Sequence, residues 1–389
     1  MKILIVGGTG IIGSSVAKAA ADHGNEVWIL SRKGPHNRLD QPNVNYIQGD
    51  WYDNRSAREA LSGGYDVVID TLVFNVRHIR RSAGLSNGHC RQYIYISTDS
   101  VYPHPGANIS EDDVTLPGKV KWKYGRDKLK CEQYLKEHSS EYSFYWTIVR
   151  PTITFGDTRI PVGFASRRNT FNLVERIANR KPVIRFDDAS SRHAVCHVSL
   201  FGNAFLHLLL NEQTSGQCYN IADVRACTYD EIFRSIEAAV GTKGIYIHLP
   251  SETMKKYNPV IYEDLIYDKN TEFTLNSDKI RSICPGTSFE TDIGEAITST
   301  VRNLKSVRTL VPQDDDYDLL TDLILLKNLN RISTEKEKHE ASEYISGFTK
   351  DYTGTLSQYE RKCIMNNKVL LIKRALWPVK QFFKGVMMR

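Results

Sequence analysis

The sequence predicts an α/β fold: a doubly wound parallel sheet, followed by a smaller C-terminal lobe and a mostly helical C-terminal tail. Four observations predict it. The chain opens on Lys2-Ile3-Leu4-Ile5-Val6, a short apolar run rich in β-branched residues that fits a strand buried on both faces. That run passes at once into Gly7-Gly8-Thr9-Gly10-Ile11-Ile12-Gly13. The pattern then turns helical, with Val16, Ala19 and Ala20 on one face and Gly24 at the end. Further buried-strand runs follow at Glu26-Val27-Trp28-Ile29-Leu30, Asp66-Val67-Val68-Ile69-Asp70 and Trp146-Thr147-Ile148.

The glycine spacing has a chemical reading. Glycines at 7, 10 and 13 allow a tight turn, close approach of backbone to phosphate and close packing of the next helix on the sheet. A dinucleotide pyrophosphate would sit at the N-terminus of that helix, beside Ile11 and Ile12, where free N–H groups and the dipole favour negative charge. The second strand ends in Ser31-Arg32-Lys33. A carboxylate there would bind the ribose 2′-hydroxyl of NAD, whereas an arginine fork suits a 2′-phosphate, so NADP is the expected cofactor. The alternative is a solvated basic loop tip with NAD still accepted. Asn45-Tyr46-Ile47-Gln48 leads into Gly49-Asp50, and the Asp50 carboxylate is placed to accept from an adenine amine. Thr71, directly after the Asp66–Asp70 run, is a further expected cofactor contact.

Two more elements supply proton chemistry: Ser97-Thr98-Asp99-Ser100-Val101-Tyr102, and the pair Tyr124…Lys128. A phenol with an unperturbed pKa of about 10 is a poor base at neutral pH and needs a nearby cation. Lys128 lies four residues on, on the same helical face. Alone, the pair would be an ordinary exposed i,i+4 contact. Behind the glycine turn and the hydroxyl-rich stretch, it points to a redox enzyme.

On these residues the first 305 or so positions resemble an extended short-chain dehydrogenase/reductase of the nucleotide-sugar epimerase/dehydratase type, with a Rossmann-type sheet. Asp50, Tyr124-Gly125-Arg126-Asp127-Lys128, Val149-Arg150-Pro151-Thr152 and Arg192-His193-Ala194-Val195-Cys196-His197-Val198 add to the match. The resemblance implies that Tyr124 exchanges a proton with the substrate oxygen while hydride moves to or from nicotinamide C4. It implies that Thr98 bonds that oxygen, that Lys128 holds the nicotinamide ribose, and that Pro151 lies near the carboxamide. It also implies that Arg192 contacts a substrate diphosphate, against the alternative of a surface arginine on an edge strand. Thr98-Asp99 resembles the pair of sugar-nucleotide dehydratases, where Asp is the acid for water loss. Those enzymes follow it with a Glu base and this chain has Ser100, so dehydration ranks below epimerisation or ketone reduction. The bland alternative for Asp99 is a turn cap. His193 and His197 lack a third ligand and are read as structural, with no metal expected.

The expected organisation is a dinucleotide-binding core over 1–150, a substrate-binding lobe over 151–305 interleaved with that core, and a helical extension over 306–389. Tyr219-Asn220-Ile221-Ala222-Asp223 and Thr228-Tyr229-Asp230-Glu231 read as a strand, then a capped helix start. Pro312 to Asp316 has linker composition, Asp318 to Leu326 reads as a short amphipathic helix, and 333–345 begins with a Ser/Thr cap. Residues 368–389 hold six Lys/Arg and no acid, with Leu370, Leu371, Leu376, Trp377, Phe382, Phe383 and Met387 interleaved. Such a segment either lies on an anionic membrane surface or docks on its own protein or on a second subunit of a homodimer. Pro378 is expected to interrupt any long helix there.

Composition bounds the function. A chain of 389 residues with 41% hydrophobic and 25% charged side chains can bury a substantial core and is ordinary for a globular protein. The net charge of +6 sets 51 basic against 45 acidic residues, which suits an anionic small molecule rather than nucleic acid. Seven scattered cysteines without a C-x-x-C, and a start directly on a core strand, lead to the expectation of a reduced, cytoplasmic protein. No apolar run is long enough to span a bilayer. Three function classes remain: an enzyme on a nucleotide-activated sugar, an NADPH-dependent reductase of a small non-sugar ketone, and a non-catalytic dinucleotide-binding sensor or RNA-associated scaffold.

Overall fold

In a computed structural model of the chain, residues 1–32, 39, 41–166, 169–186, 190–307 and 314–386 are described, with side chains through residue 370. The chain divides into two compact units. The first comprises Met1–Pro161, Ser190–Ile232 and Thr271–Thr300; the second comprises Val162–Ala189, Phe233–Asn270 and Val301–Arg389. The chain alternates between the two units, and Val301–Arg389 belongs to the second.

The first unit is built on a parallel sheet. Strands β1 (Lys2–Val6), β2 (Glu26–Ser31), β3 (Val44–Gln48), β4 (Val67–Asp70), β5 (Gln92–Ile96), β6 (Tyr145–Pro151) and β7 (Gln217–Ile221) lie in the order β7-β6-β5-β4-β1-β2-β3. The order reverses at β1, whose Ile5 pairs with Ile29 on one side and Ile69 on the other. Alternation along each strand explains the two apolar layers. Ile3 and Ile5 pack with Val16 and Ala17 of α1 (Ile11–Asp22) and with Phe201 and Phe205 of the helix Val198–Leu206. Leu4 and Val6 face the opposite layer, with Ala57 of α2 (Asn54–Leu61), Ala83 of α3 (Val76–Ser86) and Leu135 of α4 (Lys123–Glu137). A side chain at Gly202 would meet the Ser15 carbonyl oxygen at 2.7 Å, so Gly202 sets how closely the Val198–Leu206 helix approaches α1. Thr228 and Glu231 cap each other's backbone N–H at the start of helix Tyr229–Val240, as the sequence suggests.

The second unit pairs Pro182–Arg185 in parallel with Ile245–His248 and surrounds them with helices. Buried Arg176 joins its parts. Its guanidinium reaches Asp318 at 2.9 Å and Asp322 at 2.7 Å, and its Nε donates to the Pro182 carbonyl. The Tyr344 and Tyr352 hydroxyls donate to Asp322 as well. Glu337, on the helix Glu335–Ser346 capped by Thr334, accepts from the His248 backbone and ring. The final helix spans Lys350–Val386 and runs through Pro378, contrary to the expected interruption. A proline inside a helix removes one N–H bond, here the one to the Arg374 carbonyl, and within a helix of 37 residues that loss is not terminating. Met387 lies outside the described residues. No described helix is long and apolar enough to cross a membrane.

Candidate functional site

The glycine turn adopts the conformation its spacing suggests. Gly7 has φ +80° and its N–H donates to the Leu30 carbonyl, turning the chain out of β1. A side chain there would collide with the Thr71 hydroxyl. At Gly13 a Cβ would meet the Gly8 Cα at 2.5 Å, so this glycine lets α1 pack tightly on the turn. Gly10 is the N-cap of α1, and the nearest atom to a Cβ built on it is the Gly7 carbonyl oxygen at 3.8 Å. The first-turn N–H groups of Ile11, Ile12 and Gly13 are ones a helix cannot satisfy internally, the kind of donors that would receive a pyrophosphate.

Three further expected cofactor residues lie at the C-terminal ends of neighbouring strands. Arg32 follows β2 and is exposed, while Lys33 lies outside the described residues. Gly49 N–H bonds the Ser31 carbonyl, which sets the Asp50 turn beside the end of β2. The Asp50 carboxylate accepts from the Tyr52 N–H at 2.9 Å. The Thr71 hydroxyl donates to the Val6 carbonyl at 2.8 Å and so pins β4 to the glycine turn.

The hydroxyl-rich stretch follows β5 as a single 3-10 turn, Asp99–Val101. The cap is Thr98 and not Asp99, because Thr98 Oγ accepts the Ser100 N–H at 3.2 Å. Thr98 also donates to the buried Asp99 carboxylate at 3.2 Å and lies 3.1 Å from the Ser100 hydroxyl. Gly125 explains how Tyr124 comes near this turn. A Cβ at Gly125 would run into the Ser100 carbonyl, so only glycine lets α4 rest directly on the turn. Tyr124, next in sequence, is half-buried, with its ring 5.1 Å from Trp122. One helical turn on, Lys128 is buried and donates to the carbonyls of Ile96 at 2.6 Å and Val73 at 2.8 Å. Its ammonium also sits 4.7 Å over the Tyr95 ring, and burial pulls its pKa down to about 8.

Beneath the turn runs a buried network that the sequence reading missed. Glu132, a further helical turn after Lys128, accepts from Arg150 at 3.0 and 2.6 Å and from the Ser97 hydroxyl at 2.6 Å. Arg150 also donates to the Tyr102 hydroxyl at 2.6 Å, and that hydroxyl donates to Asn220 at 2.7 Å. Burial alone would raise the Glu132 carboxyl, but the Arg150 guanidinium outweighs it and holds the group below its ordinary value. The network ties β5, α4, β6 and β7 together at the point where Thr98 and Tyr124 emerge. The 124–128–132 spacing on one helical face was the available signal. Pro151 closes β6, next to Arg150, and is buried.

Arg192 lies apart in sequence, on the two-residue strand Arg192–His193. It is exposed and donates to the Ala226 carbonyl at 3.1 Å. His193 is buried with its ring 4.3 Å from Tyr229, and His197 caps the Val198–Leu206 helix through the Ser199 N–H. Among the described residues no three His, Cys, Asp or Glu converge as metal ligands, and all seven cysteines are free and buried.

Comparison with known proteins places this geometry in a family. Residues 3–222 match the profile of the NAD dependent epimerase/dehydratase family. The chloroplast stem-loop binding protein of 41 kDa b from Arabidopsis thaliana is 26% identical over 353 residues, covering 84% of this chain and 85% of that protein. Among solved structures, the epimerase Mth375 of Methanothermobacter thermautotrophicus superposes with a TM-score of 0.66 at 18% identity, covering 79% of this chain and 93% of that one. The UDP-glucuronic acid 4-epimerase of Bacillus cereus, in complex with UDP-glucuronic acid and NAD, gives a TM-score of 0.62 at 18% identity, covering 79% of this chain and all of that one. With its parallel sheet, its glycine turn and a profile match over more than half its length, the chain belongs to the NAD dependent epimerase/dehydratase family.

Proposed function

We propose that this chain is an NAD(P)-dependent enzyme that epimerises, or reduces a keto group of, a nucleotide-activated sugar. The observation that carries the reading is the seat of α4 on the Ser100 carbonyl, allowed by Gly125, which brings the Tyr124 turn to Thr98 and Asp99. In this reading Gly7, Gly10 and Gly13 admit the pyrophosphate to the N-terminus of α1, beside Ile11 and Ile12. Asp50 accepts from the adenine amine, and Arg32 grips a 2′-phosphate, which makes NADP the preferred cofactor over NAD. Thr71 and Pro151 flank the bound dinucleotide, which when bound supplies or accepts the hydride.

The remaining steps belong to side chains. Thr98 hydrogen-bonds the substrate oxygen. Tyr124 takes the proton from that oxygen during oxidation and returns it during reduction. Lys128 bears its cation one turn away and lowers the cost of the phenolate. Asp99 lies beside Thr98 as the counterpart of the dehydratase acid, but with Ser100 in place of a Glu base dehydration ranks third. Arg192 offers its free donors to a substrate diphosphate. The test is incubation of the protein with UDP-, dTDP- and GDP-hexoses, with NADP and NADPH in turn, and chromatography of the nucleotide sugars. Conversion of one of them is expected; turnover confined to free small ketones would contradict the substrate assignment.

A second reading is a dinucleotide-binding scaffold that associates with RNA. It is favoured by the likeness to a stem-loop binding protein over 84% of this chain. Complete absence of turnover with all sugars and ketones, together with RNA binding, would favour it.

A further inference from the structure

In the first unit, residues of α2 and α3 line a shallow, open hollow of about 460 Å³: Asn54, Arg58, Arg77, Arg80, Arg81 and Gly84, with Leu85. Four of these are arginines and none is acidic. Arg58, Arg77 and Arg80 are exposed, and among the described residues none of the three forms an ion pair. Arg81 is held differently. Its Nε donates to Asn54 at 2.9 Å, its guanidinium lies 6.0 Å from the centre of the Trp51 ring, and its Nη2 is buried without a hydrogen-bond partner. The Trp51 indole is in turn fixed by its bond to Asp70 at 3.2 Å. Gly84 leaves the floor of the hollow open, since a Cβ there would touch nothing within 4 Å.

Arg81, its charge partly offset by Asp70, Asp50 and Asp53, holds a buried unsatisfied donor in fixed orientation, and with three arginine neighbours outside any ion pair it makes a built donor site for anionic oxygens. The near-balance of 51 basic and 45 acidic residues conceals it, because α2 and α3 gather Arg55, Arg58, Arg77, Arg80 and Arg81 against the single acid Glu59. We propose that this groove binds a run of two or more phosphates, the chemistry shared by a nucleic-acid backbone and free polyphosphate. The inference is independent of hydride transfer; where the ligand is RNA, it rests on the scaffold reading and gives that reading a location.

The test uses the full chain with three probes: an RNA hairpin, single-stranded RNA, and inorganic tripolyphosphate. With four arginine–phosphate contacts, a rise from about 50 to 200 mM salt should weaken RNA binding roughly 50–150-fold. The variant Arg58→Gln/Arg77→Gln/Arg80→Gln should flatten the salt slope by about 2–3 and weaken binding at least tenfold at low salt. Gly84→Leu, which removes no charge, should weaken binding by filling the hollow. Tripolyphosphate binding lost in both variants, without RNA binding, would support the groove and end the scaffold reading. RNA binding untouched by both variants would overturn the groove and leave the scaffold reading standing. Binding of none of the three probes would overturn the inference.

Discussion

Replacing Glu132 by Gln should destabilise the first unit more than any comparable surface change. The carboxylate is fully buried, and it meets Arg150 through two hydrogen bonds of 3.0 and 2.6 Å. Glutamine keeps the volume and one acceptor but leaves the Arg150 cation buried without its counter-charge. Removing one partner of such a pair costs about 3–5 kcal/mol, most of it the desolvation of the charge left behind. For a unit of this size each kcal/mol moves the melting point by about 2–4 °C, so a fall of roughly 6–20 °C is expected. The companion variant Glu132→Gln/Arg150→Met removes both charges and should recover most of the loss, since well-packed apolar replacements of buried pairs are often near neutral. The pH dependence has a definite sign. The Glu132 carboxyl titrates below its ordinary 4.5 in the folded state, so its contribution is present above that value and lost as pH falls through the folded pKa. Differential scanning calorimetry of the three proteins across pH is the assay. A single-variant loss below about 1 kcal/mol, or a double variant as unstable as the single, would show that Arg150 is not left as a buried uncompensated charge.

If Arg32 holds a 2′-phosphate, NADPH should bind more tightly than NADH, and Arg32→Asp should reverse the order; equal affinities in the unmutated protein, measured by fluorescence titration, would count decisively against NADP. Lys128 should titrate near 8 by NMR of ¹³C-labelled lysine, and because this lies below the unfolded value of 10.5, its linkage makes stability rise with pH between the two; an unshifted lysine would show that the ammonium is solvated. Deleting 371–389 should leave both units folded, whereas deleting 350–389 should destabilise the second unit by several kcal/mol, since it removes the bonds of Tyr352 to Asp322 and of Glu360 to Lys256 and Lys327. Vesicle sedimentation of the full chain and the shorter truncation at low salt decides between docking and membrane contact for the last residues: salt-sensitive binding lost on truncation marks a membrane surface.

The parts of this molecule that were legible in the sequence are those whose cause is local. The glycine turn, the hydroxyl-rich turn after β5 and the Tyr124–Lys128 spacing each declare themselves within a few residues, because backbone freedom, caps and helical periodicity are short-range properties. The capping box at Thr228 and Glu231 is of the same kind. What was not legible depends on the meeting of distant segments. Glu132 reads as one more charge on a charged helix until β6 places Arg150 against it, 18 residues on. Arg176 similarly gives no sign that it will be neutralised by Asp318 and Asp322, which made the region after 305 look like an appendage when it forms part of the second unit's interior. Gly125 was visible as part of the Tyr124-to-Lys128 motif, but its purpose, the approach of α4 to the Ser100 carbonyl, appears only in three dimensions. The arginine groove escaped for a related reason: whole-chain charge averages over surfaces, and α2 and α3 contribute theirs to one side.

If Tyr124 transfers the proton at a dinucleotide-dependent redox site, its hydroxyl is needed for turnover and not for binding the dinucleotide. Tyr124→Phe removes a hydroxyl and almost no volume, so the fold and the glycine-turn pocket should survive. With the nucleotide sugar that the unmutated protein converts, turnover should fall by about 10²–10⁴-fold, the usual worth of a positioned acid–base group, while the Kd for the dinucleotide stays within about twofold. Retention of substantial turnover in Tyr124→Phe, with the dinucleotide still bound, would exclude Tyr124 as the proton-transferring group.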